Sequence, residues 1–381
     1  MNEFCIAASA AFGLESVVAG EMARLGYRDT LTDNGRVCIR AGWEAVCRLN
    51  IQMRTADRVS LRLGSFPAET FDALFEGVRA LPWAHLLPRD ARVDVRGKSV
   101  RSKLASVPDC QAVTKKALVE AMKKQYGYTW LPETGTRFTV EVNLLKDQAS
   151  IWIDTTGTGL NKRGYRPIAA EAPIRETLAA ALVILSGWRP EMPFADPMCG
   201  SGTLPLEAAM IGLRIPPGGR RSFDAEAWEI IGKRAWQEAR DEAWDHVRKD
   251  AKLDITGSDI DAGVLETARY HARLAGVEQQ VVFTRRPIQE FTPSSPGGCL
   301  ICNPPYGERL EDAAGAREIY RAMGEVARHY PDWGYFVITP EKSFERLFGR
   351  PADKRRKLYN GRIECCYYQY FRKTGNSRSR G

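Results

Sequence analysis

The most informative sequence in this chain is Asp196-Pro197-Met198-Cys199-Gly200-Ser201-Gly202-Thr203. It follows a short apolar strand, predicted at 194–196, and it opens a helix that is predicted at 204–211. Glycines let the backbone approach a ligand closely, and the first turn of a helix offers free N–H groups. A similar turn holds pyrophosphate in dinucleotide enzymes, but this one lacks their G-x-G-x-x-G spacing. The sequence therefore predicts a ligand-binding turn between a strand and a helix.

Strands and helices alternate in the chain beyond this turn. Further strands are predicted at 254–258, 280–284, 298–302, 333–339 and 364–371. This alternation is typical of a parallel sheet covered by helices. The segment 211–252 interrupts it and contains Trp228, Trp236 and Trp244 on a predicted helix. Their regular spacing predicts that the three rings share one face, with core packing favoured over stacking on bases.

An acidic group lies at the end of the second predicted strand, in Ser258-Asp259-Ile260-Asp261. In doubly wound nucleotide-binding folds, an acid at this place accepts hydrogen bonds from ribose hydroxyls. It usually follows the glycine turn by about 20 residues. The gap is longer here, and the inserted segment 211–252 accounts for the excess. We therefore expect Asp259 to serve the same ligand as the glycine turn.

A third polar loop follows the fourth predicted strand, in Leu300-Ile301-Cys302-Asn303-Pro304-Pro305-Tyr306-Gly307. Two successive prolines remove two backbone donors and stiffen the loop. The side-chain oxygen of Asn303 and the carbonyl oxygen of Pro304 can accept both hydrogens of an exocyclic NH2 group, while Tyr306 offers a ring face to a planar base. Ligands of open α/β sheets bind at this edge. A proline-stiffened turn with an exposed tyrosine is the alternative.

Composition and cysteine usage limit the class of protein. The 381 residues are 44% hydrophobic and 27% charged, which is ordinary for a globular protein of two or three domains. No apolar run is long enough to cross a bilayer and the N-terminus has no basic leader, so we expect a cytoplasmic protein without membrane contact. The nine cysteines fit a reducing compartment. Cys299 and Cys302 are expected on opposite faces of a strand, so no metal site is expected.

The net charge of +8 is unevenly distributed. Residues 89–124 carry a net charge of +6 and residues 341–381 carry +8, which leaves −6 on the remainder of the chain. Two basic regions on an otherwise acidic chain indicate a polyanionic partner. Solvated surface charge is the alternative for any single run.

The N-terminal part is predicted to form two small α/β units. Residues 1–60 contain two strand patterns and two helix patterns, and residues 61–160 contain four strand candidates and a helix from about 109 to 126. Residues 156–173 are rich in glycine, proline and basic residues and are predicted to form a connector. We therefore expect domains at 1–60, 61–160 and 161–381.

These features together resemble a known enzyme family. The glycine turn, Asp259 and the loop 303–306 resemble the motifs of class I amino-methyltransferases that use S-adenosylmethionine. The stretches 160–166 and 172–180 resemble the segment before the glycine turn in THUMP-containing RNA guanine-N2 methyltransferases. Residues 107–117 resemble a helix start of the THUMP RNA-binding domain, and 357–365 resemble the closing β-hairpin of these enzymes. The resemblance covers nearly the whole chain.

The resemblance implies a fold, a cofactor and a reaction. The fold is α/β: a class I, Rossmann-like methyltransferase with a mainly parallel seven-stranded sheet, preceded by ferredoxin-like and THUMP domains. The reaction is methylation of the N2 amine of a guanosine in large-subunit (23S) ribosomal RNA, with S-adenosylmethionine as donor. The expected catalytic residues are Asn303, Pro304, Pro305 and Tyr306. The expected cofactor-binding residues are Asp196, Pro197, Met198, Cys199, Gly200, Ser201, Gly202, Thr203, Asp259, Ile260, Ile288, Gln289 and Asn303.

One stretch departs from the family pattern. Arg286-Pro287-Ile288-Gln289-Glu290 follows the third strand, where many class I enzymes place an aspartate near the adenine. Ile288 and Gln289 are the expected adenine contacts in its place.

Basic residues of the first charged region are expected to contact RNA. Lys115 and Lys116 lie at a predicted helix start, near Arg101 and Lys103 in the preceding loop. Adjacent lysines cannot both be buried in a core, so at least one is expected at the surface. Phosphate contact is the functional interpretation, and solvated charge is the alternative.

Arg163 and Arg166 precede the glycine turn. We expect them to close the site near the cofactor or the RNA. A structural salt bridge is the alternative for both.

Other functions are compatible with the same motifs. A tRNA guanosine-N2 methyltransferase is the main alternative, because THUMP domains also occur in tRNA enzymes. The loop 303–306 could also serve adenine N6 or a glutamine amide, although the THUMP-like half argues against both. A non-catalytic RNA-binding or ribosome-assembly factor is disfavoured, because all three ligand-binding motifs are intact.

Overall fold

The computed structural model describes residues 3–33, 35–127, 129–167, 174–306 and 310–372, with the side chains of 310–313 excepted. Part of the predicted connector (168–173) and Gly307 therefore lie outside the described residues. The chain forms two compact units. Unit 1 contains Met1–Ser9, Met22–Leu160 and Arg221–Glu242, and unit 2 contains Ala10–Glu21, Asn161–Arg220 and Ala243–Gly381.

The secondary structure alternates along most of the chain. The strands are β1 (Phe4–Ala10), β2 (Leu31–Asp33), β3 (Arg36–Ala41), β4 (Ala56–Pro67), β5 (Arg92–Val100), β6 (Arg137–Leu145), β7 (Gln148–Asp154), β8 (Phe194–Asp196), β9 (Ile255–Asp259), β10 (Val281–Arg285), β11 (Cys299–Cys302), β12 (Gly334–Thr339), β13 (Lys354–Asn360) and β14 (Ile363–Tyr370). The helices are α1 (Glu15–Arg24), α2 (Trp43–Gln52), α3 (Phe71–Arg79), α4 (Val107–Tyr126), α5 (Glu176–Ser186), α6 (Thr203–Gly212), α7 (Lys233–Asp245), α8 (Ala262–Ala275), α9 (Leu310–His329) and α10 (Phe344–Phe348).

Unit 1 is built on a seven-stranded sheet in the order β2-β3-β1-β4-β7-β6-β5. Strands β6 and β7 form a hairpin, and its turn residues Lys146 and Asp147 both have positive φ. Helix α4 packs on β5, where Gly97 leaves room for the side chains of Val107 and Gln111. The sheet continues without a break from the first 60 residues into the following segment.

Unit 2 is built on a second seven-stranded sheet in the order β10-β9-β8-β11-β12-β14-β13. The pairs β10-β9, β9-β8, β8-β11 and β11-β12 are parallel, and β14 runs antiparallel to both β12 and β13. The predicted α/β class with a mainly parallel seven-stranded sheet is therefore confirmed. Because parallel strands share a direction, the carboxyl ends of β8, β9, β10 and β11 meet at one edge.

Both faces of the second sheet are buried. Along β11, Cys299 and Ile301 belong to one hydrophobic cluster, while Leu300 and Cys302 belong to another. This alternation places Cys299 and Cys302 on opposite faces, as predicted. Within the described ranges, no group of three or more His, Cys, Asp or Glu residues is placed to hold a metal ion. None of the described helices is both long and apolar enough to cross a bilayer.

The inserted segment differs from the prediction in one respect. Helix α7 begins at Lys233, so Trp228 precedes the helix and does not share a helical face with the other two tryptophans. Trp228 stacks on Phe138 with ring centroids 4.7 Å apart, and Trp236 stacks on Phe223 at 5.4 Å. Core packing, the favoured interpretation, is therefore confirmed for these two rings.

Candidate active site

The glycine turn joins the end of β8 to the start of α6. Gly200 and Gly202 have φ values of +50° and +86°, a region that side chains disfavour. A Cβ atom on Gly202 would lie 3.1 Å from the Ala268 Cβ and 3.2 Å from the Phe283 ring. Gly202 is therefore required both by its conformation and by the close approach of α8 and β10.

Asp259 holds the glycine turn against the end of β9. Its Oδ2 atom accepts a hydrogen bond from the Gly200 N–H at 3.0 Å, and its Oδ1 atom accepts one from the Asp261 N–H at 3.1 Å. The Cys199 N–H donates to the Ser258 carbonyl at 2.9 Å. The structure thus brings the glycine turn and Asp259 together at one edge of the sheet.

Asp196 is buried beneath this turn. Its carboxylate accepts a hydrogen bond from the Met198 N–H at 3.2 Å. Burial raises the pKa of Asp196 well above its usual value, and the nearby Asp259 carboxylate raises it further. A cationic ligand group at this place would be favoured, because it would stabilise the ionised form of the carboxyl group that burial disfavours.

The remaining predicted cofactor residues lie at the ends of β9 and β10. Ile260 is exposed, whereas Ile288 is buried in the hydrophobic cluster that also contains Leu300. Gln289 is exposed on the short 3-10 turn Ile288–Glu290. The Arg286 N–H donates to the Asp259 carbonyl at 3.1 Å, which ties this stretch to the end of β9.

Asn303 follows β11 directly, and its side-chain oxygen accepts a hydrogen bond from within the loop. The Tyr306 hydroxyl donates a hydrogen bond to the Asn303 Oδ1 atom. The Tyr306 ring packs against the hydrophobic cluster of unit 2, and burial raises the pKa of its hydroxyl, so the group stays protonated as a donor. The Tyr320 hydroxyl donates to the Pro305 carbonyl at 3.3 Å and fixes the far side of the loop. The loop is therefore held by the Tyr306 side chain from within and by Tyr320 of α9 from outside.

Asn360 is a member of this arrangement that the sequence did not single out. It ends β13, and its Nδ2 atom donates to the Tyr306 hydroxyl at 3.4 Å. The signal available in the sequence was the resemblance of 357–365 to a closing hairpin, which did not indicate a role for any one side chain. The structure adds Asn360 to the chain of contacts that leads to Asn303.

The residues of unit 1 that are predicted to contact RNA differ in exposure and in ion pairing. Lys103 forms an ion pair with Glu69, and Lys115 forms one with Glu133. Lys116 and Arg101 are exposed. Lys103 is exposed as well, so the charges of Lys103, Lys116 and Arg101 all face solvent, whereas Lys115 is half-buried.

Arg163 and Arg166 lie in buried ion pairs of unit 2. The Arg163 Nε atom is 3.4 Å from the Glu207 Oε1 atom, and these side chains are only 2% and 0% exposed. The Arg166 Nη1 atom is 3.2 Å from the Glu176 Oε1 atom. This geometry matches the alternative of structural salt bridges for both arginines, so neither side chain is placed to contact RNA.

Family models divide the chain into three matched regions. Residues 6–60 match the RlmL ferredoxin-like domain, and residues 68–154 match the THUMP domain. Residues 163–369, more than half of the chain, match the RMKL-like methyltransferase domain. The chain belongs to this methyltransferase family. The Bacillus subtilis protein provisionally named RNA methyltransferase YpsC is 45% identical to it, over 100% of this chain and 99% of that relative.

Solved structures resemble this methyltransferase over its whole length. A Listeria monocytogenes protein, described as a predicted N6-adenine-specific DNA methylase, has 47% identity and a TM-score of 0.93, with 97% of each chain covered. SMU.472, described provisionally as a methyltransferase and crystallised with SAH, has 43% identity and a TM-score of 0.93 over 99% of this chain and 100% of that chain. TrmN from Thermus thermophilus, at 20% identity and a TM-score of 0.67, shares the fold.

Proposed function

We propose that this methyltransferase transfers one methyl group from S-adenosylmethionine to the N2 amine of a guanosine in large-subunit ribosomal RNA. The match of residues 68–154 to a THUMP domain and the RNA methyltransferase name of YpsC support RNA as the substrate. The SAH complex of SMU.472 supports the cofactor. In this proposal residues 1–60 and 61–160 hold the RNA, and residues 161–381 perform the transfer.

The observation that carries the proposal is the register of β8 and β11. These strands are parallel neighbours, with Cys299 opposite Phe194 and Leu300 opposite Ala195. The glycine turn after β8 and Asn303 after β11 therefore emerge at the same edge of the sheet. A cofactor at the turn and a target amine at Asn303 would lie side by side, as methyl transfer requires.

The residues at this edge fit S-adenosylmethionine. Gly200 and Gly202 let the backbone approach a ligand, the buried Asp196 favours a cationic group, and Asp259 would accept hydrogen bonds from ribose hydroxyls. Exposed Ile260 and Gln289 would flank the adenosine. When bound, the cofactor supplies an electrophilic methyl group.

Asn303 and Pro304 would orient the target amine. The Asn303 Oδ1 atom and the Pro304 carbonyl would each accept one N–H hydrogen bond, which favours a pyramidal nitrogen whose lone pair points at the methyl group. An amide oxygen has two acceptor lone pairs, so Tyr306 can keep the Asn303 side chain oriented while the amine binds. Such positioning can contribute about 7–11 kcal/mol to lowering the barrier.

Nucleoside analysis tests the proposed reaction. Purified enzyme and labelled cofactor are incubated with unmodified ribosomal RNA, with tRNA and with DNA, and each nucleic acid is digested to nucleosides. We expect N2-methylguanosine from the large-subunit ribosomal RNA. N2-methylguanosine from tRNA alone would transfer the assignment to a tRNA enzyme. N6-methyladenosine in any pool would show that the loop accepts adenine, and no product in any pool would support a non-catalytic factor.

Replacing Asp259 by alanine should weaken S-adenosylmethionine binding about tenfold or more. The physical reason is the loss of charge-assisted hydrogen bonds, each of which contributes about 1.5–3 kcal/mol. Isothermal titration calorimetry measures the effect. Asp254→Ala is the matched control, because Asp254 immediately precedes the same strand at its other end. Equal affinities in Asp259→Ala and the unaltered enzyme would contradict the proposed ribose contact.

Replacing Lys116 by alanine should lower the salt dependence of RNA binding. One phosphate contact fewer reduces the slope of log K against log salt by about one unit. Filter binding of full-length enzyme at several salt concentrations measures this slope. Lys249→Ala, which removes an exposed lysine outside the two basic regions, is the control. A slope that Lys116→Ala leaves unchanged would place this lysine outside the RNA interface.

A further inference from the structure

An exposed aromatic residue lies close to the candidate active site. Phe12, in the loop between β1 and α1, is 60% exposed. Its ring meets the ring of Tyr359 on β13 edge to face, with centroids 5.7 Å apart and an interplanar angle of 83°. Arg362 and Ile363 follow Tyr359 closely in sequence, at the turn of the β13-β14 hairpin, and both are exposed. We call Phe12, Tyr359, Asn360, Arg362 and Ile363 the hairpin surface.

The loop that carries Phe12 is fixed on the hairpin. The Arg356 Nη1 atom donates to the Gly13 carbonyl at 2.6 Å. Gly13 has a φ of +82°, and a Cβ atom there would lie only 2.8 Å from the Lys357 carbonyl oxygen. The backbone can approach the hairpin this closely because residue 13 is glycine. Phe12 is therefore held in place while most of its ring remains open to solvent.

The hairpin surface is connected to the catalytic loop by direct contacts. Asn360, adjacent to Tyr359, donates to the Tyr306 hydroxyl at 3.4 Å, and that hydroxyl donates to Asn303 Oδ1. The ring of Phe12 is thus linked to the proposed acceptor of the target amine through Tyr359, its chain neighbour Asn360, and Tyr306. All of these residues belong to unit 2.

The chemistry of this surface suits a nucleic-acid strand. The Tyr306 ring packs on the core, so Phe12 is the aromatic residue of this region with most of its area open to a base. Lys354 and Arg362 are exposed on the same hairpin and supply positive charge for a phosphate backbone, whereas Arg355 is paired with Glu345. Aromatic stacking platforms beside basic residues are a general means of holding single-stranded nucleic acid.

We propose that Phe12 stacks on a base that flanks the methylated nucleotide, with Arg362 facing the adjoining phosphate. A target base that leaves its helix exposes its neighbours, and holding one of them stabilises the extruded arrangement. The inference rests on the proposed function, because it requires RNA as the substrate. It assigns to Phe12 a role in substrate positioning, separate from cofactor binding.

The test uses full-length enzyme and the RNA that the unaltered enzyme methylates, once the modified nucleotide is mapped. Phe12→Ala should raise the KM for RNA about tenfold, while the affinity for S-adenosylmethionine and the melting temperature stay unchanged. Phe12→Trp should restore RNA binding, because it restores a ring face. Val282→Ala is the control, because Val282 is 63% exposed on β10 and lies outside the hairpin surface.

A second measurement separates stacking from a general effect on folding. Abasic nucleotides are placed, one at a time, at the positions on either side of the target. One of them should impair the unaltered enzyme about as much as Phe12→Ala does, and Phe12→Ala should show no further loss on that RNA. Equal KM values for Phe12→Ala and the unaltered enzyme, or fully additive losses at every position, would overturn the inference. Absence of any methylated RNA with the unaltered enzyme would instead refute the proposed function.

Discussion

The Asn303→Ala enzyme should lose about 100-fold or more in kcat while binding S-adenosylmethionine with nearly unchanged affinity. The lost side chain supplies one of the two acceptors proposed for the target amine, and removal of one preorganised polar group from an active site typically costs 10²–10³-fold in kcat. Its neighbour Tyr306 loses a hydrogen-bond acceptor, but the ring remains packed against the core. Single-turnover methylation with saturating RNA measures the chemical step.

Two observations control this experiment. Calorimetric titration with S-adenosylmethionine shows whether the glycine turn is intact in the variant. Asn303→Asp keeps an oxygen acceptor at the same place, so it should retain more activity than Asn303→Ala. Full activity in Asn303→Ala would refute the proposed role of the loop even if the methylated product were as proposed.

The Arg163→Ala substitution should destabilise unit 2 by about 3–5 kcal/mol, because it leaves a buried carboxylate without its cationic partner. Glu207 is fully buried, and its Oε1 atom also accepts a hydrogen bond from the Tyr165 hydroxyl at 3.0 Å. Chemical denaturation followed by tryptophan fluorescence measures the change in unfolding free energy.

A double variant distinguishes the effect of a buried, unpaired charge on stability from the effect of lost side-chain volume. Arg163→Met combined with Glu207→Gln removes both charges, keeps most of the volume and leaves an acceptor for Tyr165, so it should recover most of the stability. Arg328→Ala removes an exposed ion pair with Glu325 and should leave the melting temperature essentially unchanged. A small effect of Arg163→Ala would show that solvent reaches Glu207.

The fold of the parallel sheet could be predicted from the amino-acid sequence. Strand Phe194–Asp196 has the predicted bounds and Cys299–Cys302 differs from its prediction by one residue, because short apolar runs between turn residues leave few other structures. Each of the three ligand-binding motifs follows a predicted strand. In a parallel sheet the carboxyl ends of these strands share one edge, so the three motifs were expected to lie together. These features depend on local sequence, which is why they could be predicted.

Contacts between distant residues could not be predicted in the same way. Asn360 reaches Tyr306 across 54 positions of sequence, and Glu207 reaches Arg163 across 44. A charged residue in a glycine-rich and basic stretch gives no local sign of being buried, so closing the site was the natural interpretation of Arg163. The engagement of the Asn303 oxygen by Tyr306 likewise depends on how the loop packs, which its four residues do not determine alone.

The membership of Arg221–Glu242 in unit 1 has a consequence for synthesis on the ribosome. Trp228, which stacks on Phe138, is translated well after the strands β1 to β7 have emerged. At about 5–20 residues per second, several seconds separate the last strand of that sheet from the segment that completes its core. During that interval the nascent N-terminal half lacks the ring that covers Phe138, so apolar surface stays uncovered until Trp228 has been made. A slow-translating stretch of codons before residue 221 would prolong that exposure, and a fast one would shorten it.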